Sequence, residues 1–316
     1  MKSNGQKEYV VINGVRQGMF FVGKDFSKPV ILFLHGGPSS PEYALYHSDL
    51  SKKCLEDYFT ICYWEQRGGG MSYDKNLTGK DITIQKLVDD TIEVTKYLIN
   101  KFKVDKVYLL AHSSGTVLGV KAVQRSPELY AAYIGIGQVV NICTSEKNIY
   151  DILLHYAGKT NDIAALEQLR TIDIHAVGFP TVKYLMAIKS GLINKYGIGF
   201  THIPQKMSTI YKNIFSFSGY TLKEKLGFFR GLSFGIKLLP EMLAIDLRNE
   251  SLSYEIPMFF MHGAYDGQVS LELAKQYFDM LDAPQKAFTS FENSAHSPNY
   301  EEQEKFVSVL KNVLHI

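Results

Sequence analysis

The stretch Val107–Gly115, with the sequence VYLLAHSSG, decides the fold of this chain. An apolar run ends there in a pattern that places the small residues Ala111 and Gly115 two positions before and after Ser113. A sharp turn from a strand into a helix needs small residues at both places, because larger side chains would collide with the turn. Taken alone, the pattern also fits an ordinary surface turn. In context it predicts Ser113 as a nucleophile and the Ser114 N–H as a donor to an oxyanion.

The residues that such a serine needs follow in the chain order serine, aspartate, histidine. The apolar run Pro257–His262 leads into a loop that contains Asp266, and the strand-like stretch Ala287–Phe291 leads into a polar loop that contains His296. We therefore predict that His296 takes the proton of the serine as general base, and that Asp266 orients the imidazole ring.

A glycine-containing loop upstream supplies the second oxyanion donor. The apolar run Val30–Leu34 leads into the tetrapeptide His35–Pro38, HGGP, whose glycines let the backbone approach a ligand closely. We expect the Gly37 N–H to join that of Ser114, with Gly36 as the other possibility in this loop. In isolation the tetrapeptide also fits a turn without chemistry.

Five motifs occur in the order and spacing of the proline iminopeptidase family, which this chain resembles. They are His35–Pro38 (HGGP), Glu65–Ser72 (EQRGGGMS), the serine turn, Tyr265-Asp266 and Ala295-His296-Ser297. The resemblance implies an α/β-hydrolase fold, a mostly parallel sheet flanked by helices with an inserted helical cap. It also implies release of an N-terminal residue, often proline, from short peptides. Carried over, it makes Ser113, Asp266 and His296 the catalytic triad and Gly37 and Ser114 the oxyanion donors.

Four positions depart from the family pattern. Ser39 stands where the first loop usually has glycine, Glu65 where the family has aspartate, and Ser114 where an aromatic residue is common. Some relatives carry an acidic residue directly after the triad aspartate that helps to bind the free amine of the substrate, and this chain has Gly267 there. The departures bear on the substrate more than on the reaction.

An exopeptidase must pair the ammonium group of its substrate with a carboxylate, since an unpaired charge is costly in a dry pocket. The middle segment offers Glu146, Glu224 and Glu241 as candidates for this amine ligand. Each also fits a solvated charge on a helix face, and the sequence does not rank them.

The organisation along the chain predicts one α/β core interrupted by a cap. Residues 1–138 and 253–316 carry the strand and helix patterns of the core, and residues 139–252 read as successive helices, which we call the cap. Asn13-Gly14 between two strand-like runs predicts a hairpin.

Arg67 and the glycines after it lack the pattern of a phosphate-binding loop. We interpret this motif as a structural turn. The single tryptophan, Trp64, is predicted to be a core residue.

Composition excludes several classes of function. The 316 residues are 46% hydrophobic and carry a formal net charge of +2 without a dense basic tract, so neither nucleic acid nor a membrane is an expected partner. The histidines form no metal-binding motif, and we expect neither a metal nor another cofactor. Cys54, Cys62 and Cys143 fit reduced thiols, and the N-terminal residues are polar, which favours a cytoplasmic enzyme.

Three functions remain open from the sequence. The first is an aminopeptidase acting on small peptides, the second a carboxylesterase or related hydrolase of small esters, and the third a binding protein that kept the fold and lost turnover. A carboxylate facing Ser113 would separate the first from the second. The sequence leaves the oligomeric state open.

Overall fold

A twisted sheet forms the centre of the protein in the computed structural model, which describes residues 5–37, 39–46, 55–204 and 207–316. The strands described there lie in the order β1-β2-β4-β3-β5-β6-β7-β8. The first two pairings are antiparallel and all pairings from β4 onward are parallel. The strands are β1 (Gln6–Ile12), β2 (Val15–Val22), β3 (Val30–Leu34), β4 (Thr60–Glu65), β5 (Val107–His112), β6 (Tyr130–Ile136), β7 (Met258–Gly263) and β8 (Lys286–Phe291).

The predicted hairpin joins β1 and β2. Asn13 and Gly14 both have positive φ, 45° and 76°, as a two-residue turn that matches the twist of the strands requires. Ile12 pairs with Val15 directly across this turn, so the prediction is confirmed.

Helices cover both faces of the sheet. The α-helices described are α1 (Tyr43–Tyr46), α2 (Ile84–Phe102), α3 (Gly115–Arg125), α4 (Ile142–Lys159), α5 (Ile163–Arg170), α6 (Ser190–Lys195), α7 (Met207–Ser216), α8 (Leu222–Gly235), α9 (Leu239–Ala244), α10 (Leu271–Met280), α11 (Pro298–Glu301) and α12 (Gln303–Leu314). Side chains of β3 alternate between two apolar clusters: Leu32 belongs to the cluster that includes residues of α2, α3 and α10, whereas Phe33 belongs to the cluster that includes Phe306 and Leu310 of α12. The fold is therefore the α/β-hydrolase sandwich that the sequence predicts.

The described residues between β6 and β7 form helices α4 to α9 and a π-helical turn at Tyr184–Lys189. They carry an apolar cluster of their own, with Ile149, Leu153 and Leu169 among its buried members. This agrees with the helical character expected of residues 139–252. The division into a core and a separate cap domain stays a prediction.

The loop after β4 supports a helix of the cap. Helix α8 places Gly227 and Gly231 against the backbone of Gly68 and Gly70, so close that a Cβ atom at Gly231 would lie 2.8 Å from Gly68 O. The absent side chains let helix and loop meet backbone to backbone.

Arg67 in the same loop is held by a buried carboxylate. Its Nε and Nη2 atoms donate to the two oxygens of Asp90, each at 2.7 Å, and Gln17 Nε2 donates to the same carboxylate at 2.7 Å. Trp64 is buried and donates from Nε1 to Gln17 Oε1 at 2.9 Å. Both residues are structural, as the sequence predicts.

Within the described ranges every helix is too short or too polar to cross a bilayer. In the same part of the chain, no group of three His, Cys, Asp or Glu side chains is arranged to hold a metal ion. Two positions used in the sequence analysis, Pro38 and Cys54, lie outside the described residues.

Candidate active site

Ser113 occupies a strained turn between the end of β5 and the start of α3. Its φ is 55°, in the left-handed region that costs a residue with a side chain about 1–2 kcal/mol. The Ser113 N–H donates to Ile136 O of β6 at 2.9 Å, which fixes the turn to the sheet. A Cβ atom at Gly115 would lie 2.6 Å from His35 O. The small residue predicted at this position is therefore required because a side chain would collide with the loop of His35.

Asp266 and His296 meet although 30 positions separate them. His296 Nδ1 lies 2.8 Å from Asp266 Oδ2, and both side chains are buried. The Gln268 and Val269 N–H groups donate to Asp266 Oδ1 at 2.8 and 2.9 Å. This leaves the other carboxylate oxygen to receive the Nδ1 proton and to orient the ring.

The environment separates the protonation states of these two groups. Burial would raise the pKa of Asp266, but the attraction that His296 exerts when its ring is protonated, together with hydrogen bonds from His262 and His296, holds that pKa well below its usual range. Burial lowers the pKa of His296, against the opposing effect of Asp266. At neutral pH the pair is therefore a carboxylate beside a neutral imidazole, the state that a general base requires.

The loop after β3 lies against the serine turn. A Cβ atom at Gly36 would lie 2.7 Å from Ser113 Cβ, so only glycine fits. The Gly36 N–H already donates to Glu42 Oε1 at 2.9 Å, which corrects the expectation that it is available to an oxyanion. Gly37 has a φ of 93° and remains the candidate in this loop, while Ser114 lies at the N-terminus of α3, where the helix dipole favours negative charge.

Hydrogen bonds join the HGGP motif of this loop to the EQRGGGMS motif. Gln66 donates from its backbone N–H to His35 Nε2 at 3.0 Å and from Nε2 to His35 O at 2.8 Å. Ser39, which replaces the glycine of the family pattern, has a φ of 60° and so adopts the backbone conformation that favours glycine.

Two of the three amine-ligand candidates are engaged elsewhere. Glu224 caps α8 and binds Lys7 Nζ at 2.6 Å, and Glu241 Oε2 accepts the Ile84 N–H at the start of α2 at 2.8 Å. These partners explain both carboxylates as structural groups, and we do not retain them as ligands of a substrate amine.

Glu146 on α4 is the third candidate and has a different environment. It is buried, and Oε1 pairs with Lys189 Nζ. The buried Tyr184 hydroxyl lies beside the same carboxylate, and burial together with the charge of Glu146 raises the pKa of this tyrosine. Burial raises the pKa of Glu146, and Lys189 opposes this shift.

Glu146 and Lys189 lie beside the loop that carries Asp266. Lys189 Nζ donates to Gln268 O at 3.1 Å, and Gln268 is two residues after Asp266. Ser145 Oγ accepts the Ser270 N–H of the same loop at 2.9 Å.

A short segment of the cap is hydrogen-bonded to both loops that carry Asp266 and His296. Ile198 O accepts the Gly267 N–H at 2.7 Å, and Gly199 O accepts the His296 N–H at 3.2 Å. The position of the cap is therefore coupled to the positions of Asp266 and His296.

Three residues around the site escaped the sequence analysis. His262 Nε2 lies 3.1 Å from Asp266 Oδ2, and the buried pair of Glu42 and His112 adjoins His296. The sequence signal for His262 was its place at the end of β7, four residues before the acid. No feature of the sequence near Glu42 indicates that this residue lies at the site.

Fold and site together define a serine hydrolase of the α/β-hydrolase fold. A family model described as serine aminopeptidase, S33, matches residues 26–169. The chain is 32% identical over 309 residues to Probable aminopeptidase YbaC of Bacillus subtilis (strain 168), covering 95% of this chain and 93% of that protein. It therefore belongs to the proline iminopeptidase-like serine aminopeptidases.

Two further comparisons agree. Proline iminopeptidase of Saccharolobus solfataricus is 21% identical over 282 residues, which cover 89% of this chain and 83% of that one. The crystal structure of a proline iminopeptidase-related protein from Thermus thermophilus shares the fold with a TM-score of 0.58 at 20% identity, covering 99% of this chain and 98% of that one.

Proposed function

We propose that Ser113, His296 and Asp266 form the catalytic triad with which this serine aminopeptidase releases the N-terminal residue of short peptides. The observation that carries the proposal is the buried 2.8 Å contact between His296 Nδ1 and Asp266 Oδ2. The backbone oxygen of His296 also contacts His112, the residue directly before the strained Ser113. A partly exposed serine, an orienting acid and a neutral imidazole, in this chain order, are the parts that acyl transfer requires.

The reaction proceeds through an ester on Ser113. Ser113 Oγ attacks the carbonyl carbon of the first residue while His296 Nε2 takes its proton, and Asp266 stabilises the imidazolium that forms. The N–H groups of Gly37 and Ser114 stabilise the oxyanion. The C–N bond then breaks as His296 gives its proton to the leaving amine, and a water molecule activated by His296 hydrolyses the ester.

We assign the binding of the substrate ammonium to Glu146. Glu146 is a buried carboxylate beside the loop of Asp266, and a carboxylate can bind an ammonium group through a charge-assisted hydrogen bond. Its neighbour Lys189 contacts the loop of Asp266, which supports a position close to the triad.

The cap contributes by covering the triad. Ile198 and Gly199 bond to the loops of Asp266 and His296, which supports a closed site that excludes bulk water and admits small substrates. The free thiols of Cys62 and Cys143 support a cytoplasmic location.

The test compares arylamides of proline, alanine and leucine that have a free amine with their N-acylated forms and with short nitrophenyl esters. We expect turnover of the free-amine arylamides that disappears on N-acylation and in the Ser113→Ala variant. Turnover of esters alone would favour a carboxylesterase. Absence of any turnover or covalent labelling at Ser113 would favour a non-catalytic binding protein.

The amine assignment has its own pair of variants. Glu146→Gln keeps the size of the side chain and removes its charge, and we expect KM for free-amine arylamides to rise about tenfold or more while ester hydrolysis is retained. Glu224→Gln alters a cap carboxylate that contacts Lys7 and serves as the matched control. Equal effects of both variants on free-amine substrates would contradict the role of Glu146.

A further inference from the structure

A second buried acid and histidine pair lies next to the catalytic histidine. Both oxygens of Glu42 lie near His112 Nδ1, at 2.8 and 2.9 Å, and His112 Nε2 lies 2.9 Å from the backbone oxygen of His296. Both side chains are buried, and His112 directly precedes the nucleophile.

The contacts determine the charge of His112. A carbonyl oxygen can only accept, so the Nε2 atom facing His296 O carries a proton, and Nδ1 carries the other because it faces the two oxygens of a carboxylate. The ring is then an imidazolium. Burial would lower the pKa of His112, but the charge and hydrogen bonds of Glu42 raise it above the ordinary value.

The same pair links the two loops that carry the oxyanion donor and the base. Glu42 Oε1 accepts the Gly36 N–H at 2.9 Å, and His112 donates to the backbone of His296. The centroids of the His112 and His296 rings are 4.6 Å apart, so a charge on His112 acts directly on the neighbouring ring.

We propose that the ion pair of Glu42 and His112 positions His296 and controls its protonation. The pair connects the loop of His296 to the oxyanion loop, and the positive charge of His112 beside the His296 ring keeps that ring unprotonated. The inference rests on the proposed catalytic role of Ser113 and His296. Neither Glu42 nor His112 reacts with the substrate.

Other charged groups also face His296. Asp266 of the loop after β7 favours the protonated ring, whereas His262 of β7 and His112 of β5 oppose protonation. Glu301 of α11 accepts the N–H of the adjacent residue, Ala295, at 2.7 Å. Among these groups, Glu42 and His112 can be substituted without altering a residue of the proposed triad.

The experiment measures the pH dependence of the second-order rate at which a fluorophosphonate labels Ser113. This rate requires Ser113 and the base but neither an amine ligand nor a particular substrate. In Glu42→Gln the imidazolium loses its counter-ion and becomes neutral, and in His112→Asn it is absent. In both variants we expect the midpoint of the acid limb to rise by about one pH unit, the usual effect of one nearby charge.

A buried ion pair elsewhere in the core provides the matched control. Asp90→Asn removes the carboxylate that binds Arg67, and we expect lower thermal stability with an unchanged acid limb. Folded Glu42→Gln and His112→Asn variants whose acid limbs coincide with that of the wild type would overturn the inference. A wild type that is not labelled at Ser113 would instead contradict the proposed function.

A measurement on the wild type keeps the inference testable if neither variant folds. In ¹⁵N–¹H spectra of the histidine rings at pH 8.5, exposed imidazoles with a pKa of about 6.5 are neutral. We expect one ring with both nitrogens protonated and with nuclear Overhauser contacts to the His296 ring. Absence of such an imidazolium would overturn the inference that His112 carries a positive charge.

Discussion

Replacing Gly231 with alanine tests how closely helix α8 packs against the loop after β4. Gly231 lies in helix α8, and a Cβ atom there would lie 2.8 Å from Gly68 O and 2.9 Å from Gly69 Cα. Both are backbone atoms of the loop after β4. Gly68 has a φ of 82°, which further restricts how this loop can adjust.

The expected magnitude combines two opposing effects. Alanine favours a helix over glycine by about 0.5–1 kcal/mol. Against this gain, helix and loop must separate by about 0.6 Å to restore an ordinary contact, and overpacking of this kind costs about 1–3 kcal/mol. We expect Gly231→Ala to lower the free energy of unfolding by about 1–2 kcal/mol.

Gly158→Ala is the matched control, because Gly158 is a helical glycine of α4 with no atom within 4 Å of the added Cβ. It should raise the free energy of unfolding by about 0.5–1 kcal/mol. The assay is unfolding in guanidinium chloride followed by circular dichroism, together with KM for an arylamide. Displacement of α8 should raise KM for Gly231→Ala alone.

Two results would refute the reasoning. One is a Gly231→Ala variant at least as stable as the wild type, which would mean that helix propensity outweighs the close contact. The other is an equal loss of stability in both variants, which would remove any specific effect of the backbone contact between α8 and the loop.

The remaining predictions concern the triad and the core. The acid limb of kcat/KM for an arylamide should have its midpoint below pH 6.5, since burial lowers the pKa of His296 and the base works only when neutral; a midpoint above 6.5 in the pH profile would contradict this. Asp266→Asn should lower kcat about 10⁴-fold with little change in KM, because asparagine favours the wrong tautomer of His296; a loss below tenfold in steady-state kinetics would exclude the proposed role. Arg67→Lys should lower the free energy of unfolding by about 1–3 kcal/mol, because lysine cannot make the paired hydrogen bonds to Asp90; unchanged denaturant unfolding would show that these bonds contribute nothing.

Local stereochemistry made much of the fold predictable from the sequence. Small residues around Ser113 are demanded by the strand-to-helix turn, and Asn13-Gly14 by the hairpin. Ser113, Asp266 and His296 each follow a strand of the parallel part of the sheet, and their proximity is predictable because side chains at the carboxyl ends of parallel strands meet at one edge of the sheet. These rules act over a few residues or over a repeated unit, so one sequence suffices to apply them.

Contacts between distant residues had to come from the tertiary structure. The ionic partner of Glu224 is 217 positions away in the chain, and the partner of Glu241 is 157 positions away. Thr221 three residues before Glu224 is a local signal of a helix cap, but nothing near Glu241 distinguishes a structural group from a substrate ligand. Gly36 and Gly37 look alike in the sequence, and only the carboxylate of Glu42 shows which N–H is already bonded.

The sequence by itself predicted the chemistry of the site from a serine at a turn that only small neighbours allow, followed in the chain by an aspartate and a histidine. The tertiary structure decided the electrostatics around that chemistry. His112 contacts Glu42 across 70 positions and the backbone of His296 across 184, and the charge of such a buried group depends on partners brought together only by folding.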